Sequence, residues 1–403
     1  MTMMVSAHGP LPNIGMRSQW TLWRRHWFLF LAAIALRLAV VSVLLAHHPL
    51  SWGVNEAAGI GRGLVVGRGF ASPFHDSAGP TAWLAPVYPC LLSGVFLVFG
   101  IQSPASVWAA VLLNVLFSSL TAVVILQLGR EQFGETVGLL AGWAWAISPA
   151  IVVMPWLPWE TCLSALVMSY AFLRTLRLKA SSPLAAWGFS GCIWSLAALL
   201  NPALLAPLPA VAAGAAWMQR RWVGPGIMVL VCALGIAPWT IRNFVSLHHL
   251  IPVRSNFWPE AYFGNVSFSL HPTGDSMVYQ REGEMAFVSD LRTAVIHHVR
   301  SHPRDFARLT GYRMYAFWTQ PSRFGPYATI LSLSALAGLV AAGYRGRAWF
   351  SFFSALTLYP VVYYLTYTFA RYRHPIEPLM YTLAGYAGCE MADYFRLVFK
   401  RGK

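Results

Sequence analysis

Charge is scarce in this sequence. Of 403 residues only 11% are Asp, Glu, Lys or Arg, while 57% are hydrophobic; a soluble domain carries about 25% charged residues. The shortage excludes an ordinary soluble globular protein and a disordered one, and it points to a polytopic membrane protein. Lysine is nearly missing. Of the 29 basic residues only Lys179, Lys400 and Lys403 are not arginine. The net charge of +15 does not mark a nucleic-acid partner, because the charges are dispersed between apolar runs rather than gathered in one basic domain. Cysteine is sparse as well: Cys90, Cys162, Cys192, Cys232 and Cys389 lie in apolar stretches without C-x-x-C spacing. That excludes a disulfide framework or zinc site, and the five read as buried small apolar residues. The glycines at 67 and 69 follow no strand and precede no Gly-Lys-Ser/Thr, so they form no phosphate loop. The histidine pairs 47–48, 248–249 and 297–298 are adjacent and lack metal-ligand spacing. No metal and no cofactor is expected. No small-x-small cleavage site follows Arg17, Arg24 and Arg25, so residues 27–47 read as a retained first span.

What the chain has in quantity is long apolar runs. About 20 such residues cross a bilayer as a helix. Candidate runs are 27–47, 84–100, 105–128, 136–154, 159–178, 184–200, 203–218, 224–240, 324–343, 348–366 and 375–393. Basic clusters sit at Arg24–Arg25, Arg130, Arg174–Lys179, Arg220–Arg221, Arg345–Arg347 and Arg396–Lys400. If all face the cytoplasm, an even number of crossings must separate each neighbouring pair. Two runs fill every interval after Arg130, but three lie between Arg25 and Arg130. The short run 84–100, opened by Pro86 and Pro89, is the one to remove. It reads as a helix at the outer interface or re-entering. The expectation is an all-α protein with about ten transmembrane helices and both termini cytoplasmic. It divides into a cytoplasmic N-terminus 1–26, a transmembrane catalytic module 27–240 with outer loop 48–104, an outer loop 241–322 with amphipathic helices, and C-terminal helices and tail 323–403.

In this frame the acids sort by side. Glu131, Glu135, Glu390 and Asp393 fall at cytoplasmic ends. Glu56, Asp76, Glu160, Glu260, Asp275, Glu282, Glu284, Asp290, Asp305 and Glu377 fall in outer loops or at outer helix ends. Arg37 alone is a charge well inside a span, where it pairs or snorkels. Near absence of ionisable groups at mid-membrane counts against a proton-coupled transporter.

Three outer features carry chemistry. Asn55–Glu56 opens a segment of helical spacing from Ala57 to about Val66; Glu56 is either a first-turn acid favoured by the helix dipole or a functional carboxylate. Glu160, after Pro155 and Pro158, either caps the next span or meets Glu56 at one outer-facing cavity. Arg242 in "PWTIRNF", Arg254 in "IPVRSNFWPE" and Arg371 and Arg373 in "FARYRHPIEP" oppose the positive-inside bias and want a partner, either lipid headgroups or a bound phosphate that Arg grips bidentately. Trp83 and Tyr88 suit headgroup depth, and with Asn55 and Asn256 they are the expected cavity residues. Residues 279–300 read as an amphipathic helix outside the membrane, with another starting at "SHPRDF".

At these residues the chain resembles the bacterial GT-C-fold membrane glycosyltransferases that use polyprenyl-phosphate sugars, the group of protein O-mannosyltransferases and aminoarabinose transferases. The shared features, in order, are an acid in the first outer loop, "APVYP" opening an interfacial helix, "LGREQFG" at the next cytoplasmic turn, an acid at the third-to-fourth span junction, "PWTIRNF" and "RYRHPIEPLMYTLAGY". The fold implied has two juxtamembrane helices in the first outer loop, which accounts for the run that fails the parity test. The family usually shows Asp-Glu where this chain has Asn55–Glu56, and some relatives carry a Lys where Trp83–Leu84–Ala85–Pro86 has none. Phosphate binding then falls to the arginines. The resemblance implies an inverting transfer from a polyprenyl-phosphate sugar to an acceptor hydroxyl on a glycolipid, polysaccharide or protein. Glu56 would be the base, Glu160 its support, and Arg242, Arg254, Arg371 or Arg373 the holder of the leaving phosphate. Membrane lipid is the other partner; nucleic acid is not one. The competing readings are a transporter or flippase, for which Asn114, Ser118, Ser119 and Asn201 are the only hints of a polar path, and a non-catalytic membrane subunit.

Overall fold

The apolar runs fold as helices because a backbone N–H or C=O without water must be bonded within its own segment. The computed structural model describes residues 16–53, 55–74, 79–267, 276–321, 324–346 and 348–401. Asp76, Asp275, Arg323 and Arg347 lie outside the described residues, as does most of the stretch 1–26. The helices are α1 (Met16–His47), α2 (Glu56–Val65), α3 (Val87–Phe99), α4 (Pro104–Phe133), α5 (Glu135–Ile147), α6 (Pro149–Val152), α7 (Thr161–Arg177), α8 (Leu184–Leu200) and α9 (Leu208–Gln219). They continue with α10 (Val223–Leu247), α11 (Phe257–Asn265), α12 (Ser276–Glu282), α13 (Glu284–Ser301), α14 (Pro303–Thr319), α15 (Gly325–Tyr344), α16 (Trp349–Leu358), α17 (Val361–Leu365) and α18 (Glu377–Arg401). Among the described residues the only β pairing is one bridge, Ala71 with Pro80.

Every apolar run of the sequence contains a helix, but few of these helices are unbroken over a bilayer's thickness. Among the described residues four are both long and apolar enough to cross: Arg24–His47, Pro104–Phe133, Val223–Leu247 and Gly325–Tyr344. A fifth is the pair Glu135–Ile147 and Pro149–Trp156 taken as one span, bent by 58°. The sequence count runs through prolines that the helices do not. Pro149 breaks the run 136–154, Pro207 precedes the late start of α9 in 203–218, and Pro360 breaks 348–366. Helix α3, the run set aside on parity, has 13 residues, a rise of roughly 20 Å against a hydrocarbon core of about 30 Å.

Helix α4 is the hub. It packs against α1, α3, α5, α7 and α18, while α8 pairs with α10 and α15 with α18. Small residues let these backbones approach. A Cβ on Gly138 of α5 would overlap the Leu126 carbonyl of α4, one on Gly338 of α15 the Leu383 carbonyl of α18, and one on Gly191 of α8 the Met228 carbonyl of α10. At the junctions read as cytoplasmic, ion pairs join neighbouring helices: Arg25–Glu135 at 3.1 Å, Arg177–Glu131 at 2.5 Å and Arg345–Glu390 at 2.6 Å. These are surface pairs and contribute little each.

Arg37 neither pairs with an acid nor snorkels. It is fully buried, and its guanidinium donates to Ser118 Oγ (2.9 Å), Ala146 O (3.1 Å), Ala33 O (3.2 Å) and Trp145 O (3.3 Å). The reason is local. Pro149 has no N–H for the Trp145 carbonyl, and the bend after α5 frees the Ala146 carbonyl. A cation at a helix C-terminus satisfies both. Replacing Arg37 with Met should therefore strand buried carbonyls, at about 1–3 kcal/mol each. The measurement is thermal unfolding of the purified protein in detergent; an unchanged melting temperature would refute the account.

Two sequence expectations are corrected here. Cys90 and Cys192 are exposed, although Cys162 and Cys232 are buried; on an apolar membrane protein an outward face suits a small apolar side chain as well as the interior does. The stretch 279–300 is not one helix. It breaks at Gly283, whose φ of +87° is a left-handed conformation that glycine adopts freely, so α12 ends there and α13 begins.

Candidate functional site

Asn55 starts the site. Its extended backbone and side-chain oxygen cap α2, accepting the Ala58 N–H at 3.0 Å. Its amide nitrogen donates to the Pro158 carbonyl at 3.2 Å. Asn114 of α4 grips the same turn, donating to the Leu157 carbonyl at 2.7 Å. The 157–160 turn that carries Glu160 is thereby tied to the first turn of α2, which carries Glu56. Glu160 sits at the N-cap position of α7 but makes no side-chain cap hydrogen bond, so capping does not account for it.

One cavity of about 1450 Å³ collects most of the expected residues: Glu56, Glu160, Arg254, Arg371, Asn55, Trp83 and Asn256 all line it. The Trp83 indole N–H donates to Glu56 Oε1 at 3.0 Å. Arg371 lies over the Trp159 ring at 4.4 Å and beside Tyr372 and Phe369. Aromatic rings line the cavity, among them Phe257, Tyr262, Phe263, Tyr363 and Tyr367, and so do aliphatic side chains, among them Pro202, Leu205, Leu358, Val361 and Leu365. The segments that meet here (50–56, 157–160, 201–209, 254–263 and 358–372) are junctions that the parity reading puts on a single side.

Three expected residues stay out. Arg242 donates to the Thr81 carbonyl (2.6 Å) and the Phe70 carbonyl (2.7 Å), with its guanidinium over the Phe70 and Trp239 rings. Arg373 is buried and committed to Glu377 (2.9 Å), Trp318 O (2.8 Å) and Ala328 O (3.2 Å). Both are spent on protein acceptors and hold structure, not an anion. Tyr88 is on α3 and packs into the apolar core. Trp83 and Tyr88 are both buried in the protein and expose almost no surface. Trp83 is wedged among Phe74, Tyr279 and Phe287.

Glu260 is the residue that the sequence reading did not single out. It sits on α11, lines the same cavity, accepts from Asn256 Nδ2 at 3.1 Å and from the Tyr367 hydroxyl. Tyr372 in turn donates to the Tyr367 hydroxyl at 3.1 Å. The close packing that places this network is visible at Gly264, where a Cβ would overlap the Thr366 carbonyl. Asp290 of α13 also lines the cavity. The signal in the sequence was thin: an acid six residues after Arg254, in "NFWPEAYF".

Burial first, and the neighbouring Glu260 carboxylate second, push the Glu56 carboxyl up to about 7, against the pull of the Trp83 hydrogen bond and of Arg371 and Arg254. Glu260 is likewise raised, mainly by burial, although Tyr367 and the two arginines oppose it. One carboxyl pushed up to about 7 and a second raised above its ordinary value, beside two guanidiniums in an aromatic cavity, suit proton transfer next to a bound anion.

No protein-family model matches the sequence, and no curated protein matches it either. Solved structures do match in shape. The archaeal oligosaccharyltransferase AglB from Archaeoglobus fulgidus, in complex with an inhibitory peptide and a dolichol-phosphate, aligns over 94% of this chain and 52% of its own, at TM-score 0.57 and 15% identity. The Archaeoglobus fulgidus oligosaccharyltransferase tethered to an acceptor peptide aligns over 94% and 51%, at TM-score 0.58 and 15% identity. ArnT from Cupriavidus metallidurans, bound to undecaprenyl phosphate, aligns over 92% and 60%, at TM-score 0.47 and 18% identity. The chain spans about half the length of the oligosaccharyltransferases it matches. At these identities the likeness is one of architecture, and it is the architecture that the sequence resemblance implied: this chain has the all-helical membrane fold of the GT-C glycosyltransferases.

Proposed function

We propose that the protein is a membrane glycosyltransferase that moves a sugar from a polyprenyl-phosphate donor to an acceptor hydroxyl at the outer face, with inversion. The observation that carries this reading is the cavity itself. It joins a carboxylate poised near neutrality (Glu56), a second acid (Glu160), two arginines (Arg254 and Arg371), aromatic rings and aliphatic side chains. In this reading the aliphatic side chains take an isoprenoid chain, the arginines a phosphate, and the aromatic rings a sugar. In the reaction the acceptor oxygen attacks the sugar C1 and its proton passes to Glu56. The C1–oxygen bond to the phosphate breaks, and the electron pair leaves with the phosphate, where Arg254 and Arg371 hold the charge. The transition state is oxocarbenium-like. The leaving phosphate is already acidic, so no general acid is needed. Glu160 orients the acceptor. A dolichol-phosphate in the AglB complex supports a lipid-phosphate donor by analogy of fold. The ten-span topology, with both termini in the cytoplasm of a bacterial inner membrane, belongs to the same proposal.

The transporter reading has less support. Ser118 receives Arg37, Ser119 bonds the Val115 carbonyl and Asn114 the Leu157 carbonyl, so three of its four polar hints are used inside the bundle. Comparative lipid and glycan analysis of a deletion strain tests the proposal. The deletion should accumulate a polyprenyl-phosphate sugar and lose one sugar from an envelope component. Unchanged lipid-linked sugar pools and glycans would overturn it.

A further inference from the structure

We propose that Glu284 is a positioning residue for this site: it fixes the segment Thr81–Trp83 so that the Trp83 indole meets Glu56, and through Ser255 it fixes the Arg254–Asn256 corner. This rests on the reading above only in taking Glu56 as the base. Glu284 opens α13 and does not line the cavity, yet it is 3% exposed. Its Oε1 accepts the Ala82 N–H at 3.0 Å and the Ser255 hydroxyl at 2.7 Å. Its Oε2 accepts the Thr81 hydroxyl and, at 2.9 Å, the Tyr279 hydroxyl. A first-turn acid that only served its own helix would bond that helix's free N–H groups. These four donors instead come from three other parts of the chain.

The consequence runs toward the site in short steps. The Trp83 N–H donates to Thr81 Oγ1 at 3.0 Å, and the Ser255 N–H donates to the Ala82 carbonyl at 2.8 Å. Residues 81–83 belong to no helix or strand; the Thr81 N–H bonds the Phe70 carbonyl at 3.1 Å beside the Ala71–Pro80 bridge, and beyond it the segment is directed by side chains and Ser255. Glu284 holds Thr81 by its hydroxyl while Arg242 holds it by its carbonyl at 2.6 Å. Between those two grips, Trp83 is delivered to Glu56 Oε1. This also gives Arg242 a use: it is the counter-grip, not a phosphate ligand. A glutamine at 284 keeps one acceptor and turns the other into a donor. With the amide oxygen kept on the Ala82 N–H, the new N–H groups face the Thr81 and Tyr279 hydroxyls, which must turn their own hydrogens away, so the change falls on the Thr81 grip next to Trp83.

The test reads Glu56 directly and needs no substrate. In purified protein in lipid nanodiscs, the protonated-carboxyl stretch of Glu56 is followed by infrared spectroscopy across pH and assigned by its loss in Glu56→Gln. Trp83→Phe removes a hydrogen bond to the ionised form and should raise the midpoint by about one pH unit. Glu284→Gln should raise it in the same direction, and the double variant should show no more than the Trp83→Phe shift. Glu260, Arg254 and Arg371, the charged groups that face Glu56, are retained in every variant. If Glu284→Gln does not fold, Thr81→Val cuts the same chain at its other end and should give the same shift. A midpoint unmoved in Glu284→Gln or Thr81→Val, or shifts that add in full with Trp83→Phe, would overturn the assignment. Loss of the catalytic reading shows separately, as transfer retained in Glu56→Gln while the infrared coupling persists.

Discussion

Glu56→Gln is expected to abolish sugar transfer in membranes while the protein accumulates at the wild-type level. A positioned base contributes roughly 10²- to 10⁴-fold, and an amide takes up no proton. Accumulation should survive because glutamine keeps an oxygen for the Trp83 indole, and the change costs α2 only the dipole contribution of one first-turn acid, about 0.3–1 kcal/mol. Transfer is measured in isolated membranes, with immunoblotting for the amount of protein. Wild-type transfer in this variant would remove Glu56 as the base and move attention to Glu260.

The same assignment fixes the sign of the pH response. A base works only when ionised, and burial together with Glu260 holds the Glu56 carboxyl up to about 7. Transfer should therefore fall as pH drops through about 7, approaching tenfold per unit, and level off above it. Glu260→Gln takes away a like charge, so the acid limb should move to lower pH. Movement in the other direction would mean that Glu260 does not act on Glu56 as a neighbouring anion.

How much of this was readable beforehand depends on the kind of constraint. The apolar runs gave helix positions because hydrophobicity and backbone self-satisfaction act locally. The start of a helix at Asn55–Glu56 was legible for the same reason, although the Asn55 cap that bonds the Ala58 N–H three positions on was not read from it. Length of crossing was less legible, because a proline such as Pro149 ends a helix without ending the apolar run. The arginines divide instructively. In the sequence Arg242, Arg254, Arg371 and Arg373 look alike, each beside aromatics at an outer helix end. What separates them is distant in the chain: Arg242 is held by Phe70 and Thr81, Arg373 by Trp318 and Ala328. No local pattern encodes which guanidinium finds protein acceptors and which is left facing a cavity. Glu260 and Glu284 were hidden in the same way, two acids among ten on one side, distinguished only by what folding brings to them.

That division yields the second large effect. Arg254→Ala and Arg371→Ala should each weaken binding of undecaprenyl phosphate, and the double variant should come close to abolishing it. A hydrogen bond to a charged partner is worth about 1.5–3 kcal/mol, which is roughly 10- to 100-fold in affinity per residue. Arg371 is the better placed of the two. Its guanidinium lies over Trp159 at 4.4 Å and bonds the Tyr372 hydroxyl, and a guanidinium held by its face has further edge N–H groups for an anion. Arg373→Leu is the contrast. It breaks a buried pair with Glu377, a change that costs about 3–5 kcal/mol of stability, but the folded fraction should still bind the lipid phosphate. Binding is followed by native mass spectrometry of the purified protein titrated with undecaprenyl phosphate, and stability by thermal unfolding. Wild-type affinity in the Arg254 and Arg371 double variant would show that the phosphate sits elsewhere. A specific loss of affinity in folded Arg373→Leu would return that arginine to the site, against the four acceptors that now hold it: Glu377, Ser332 and the carbonyls of Trp318 and Ala328.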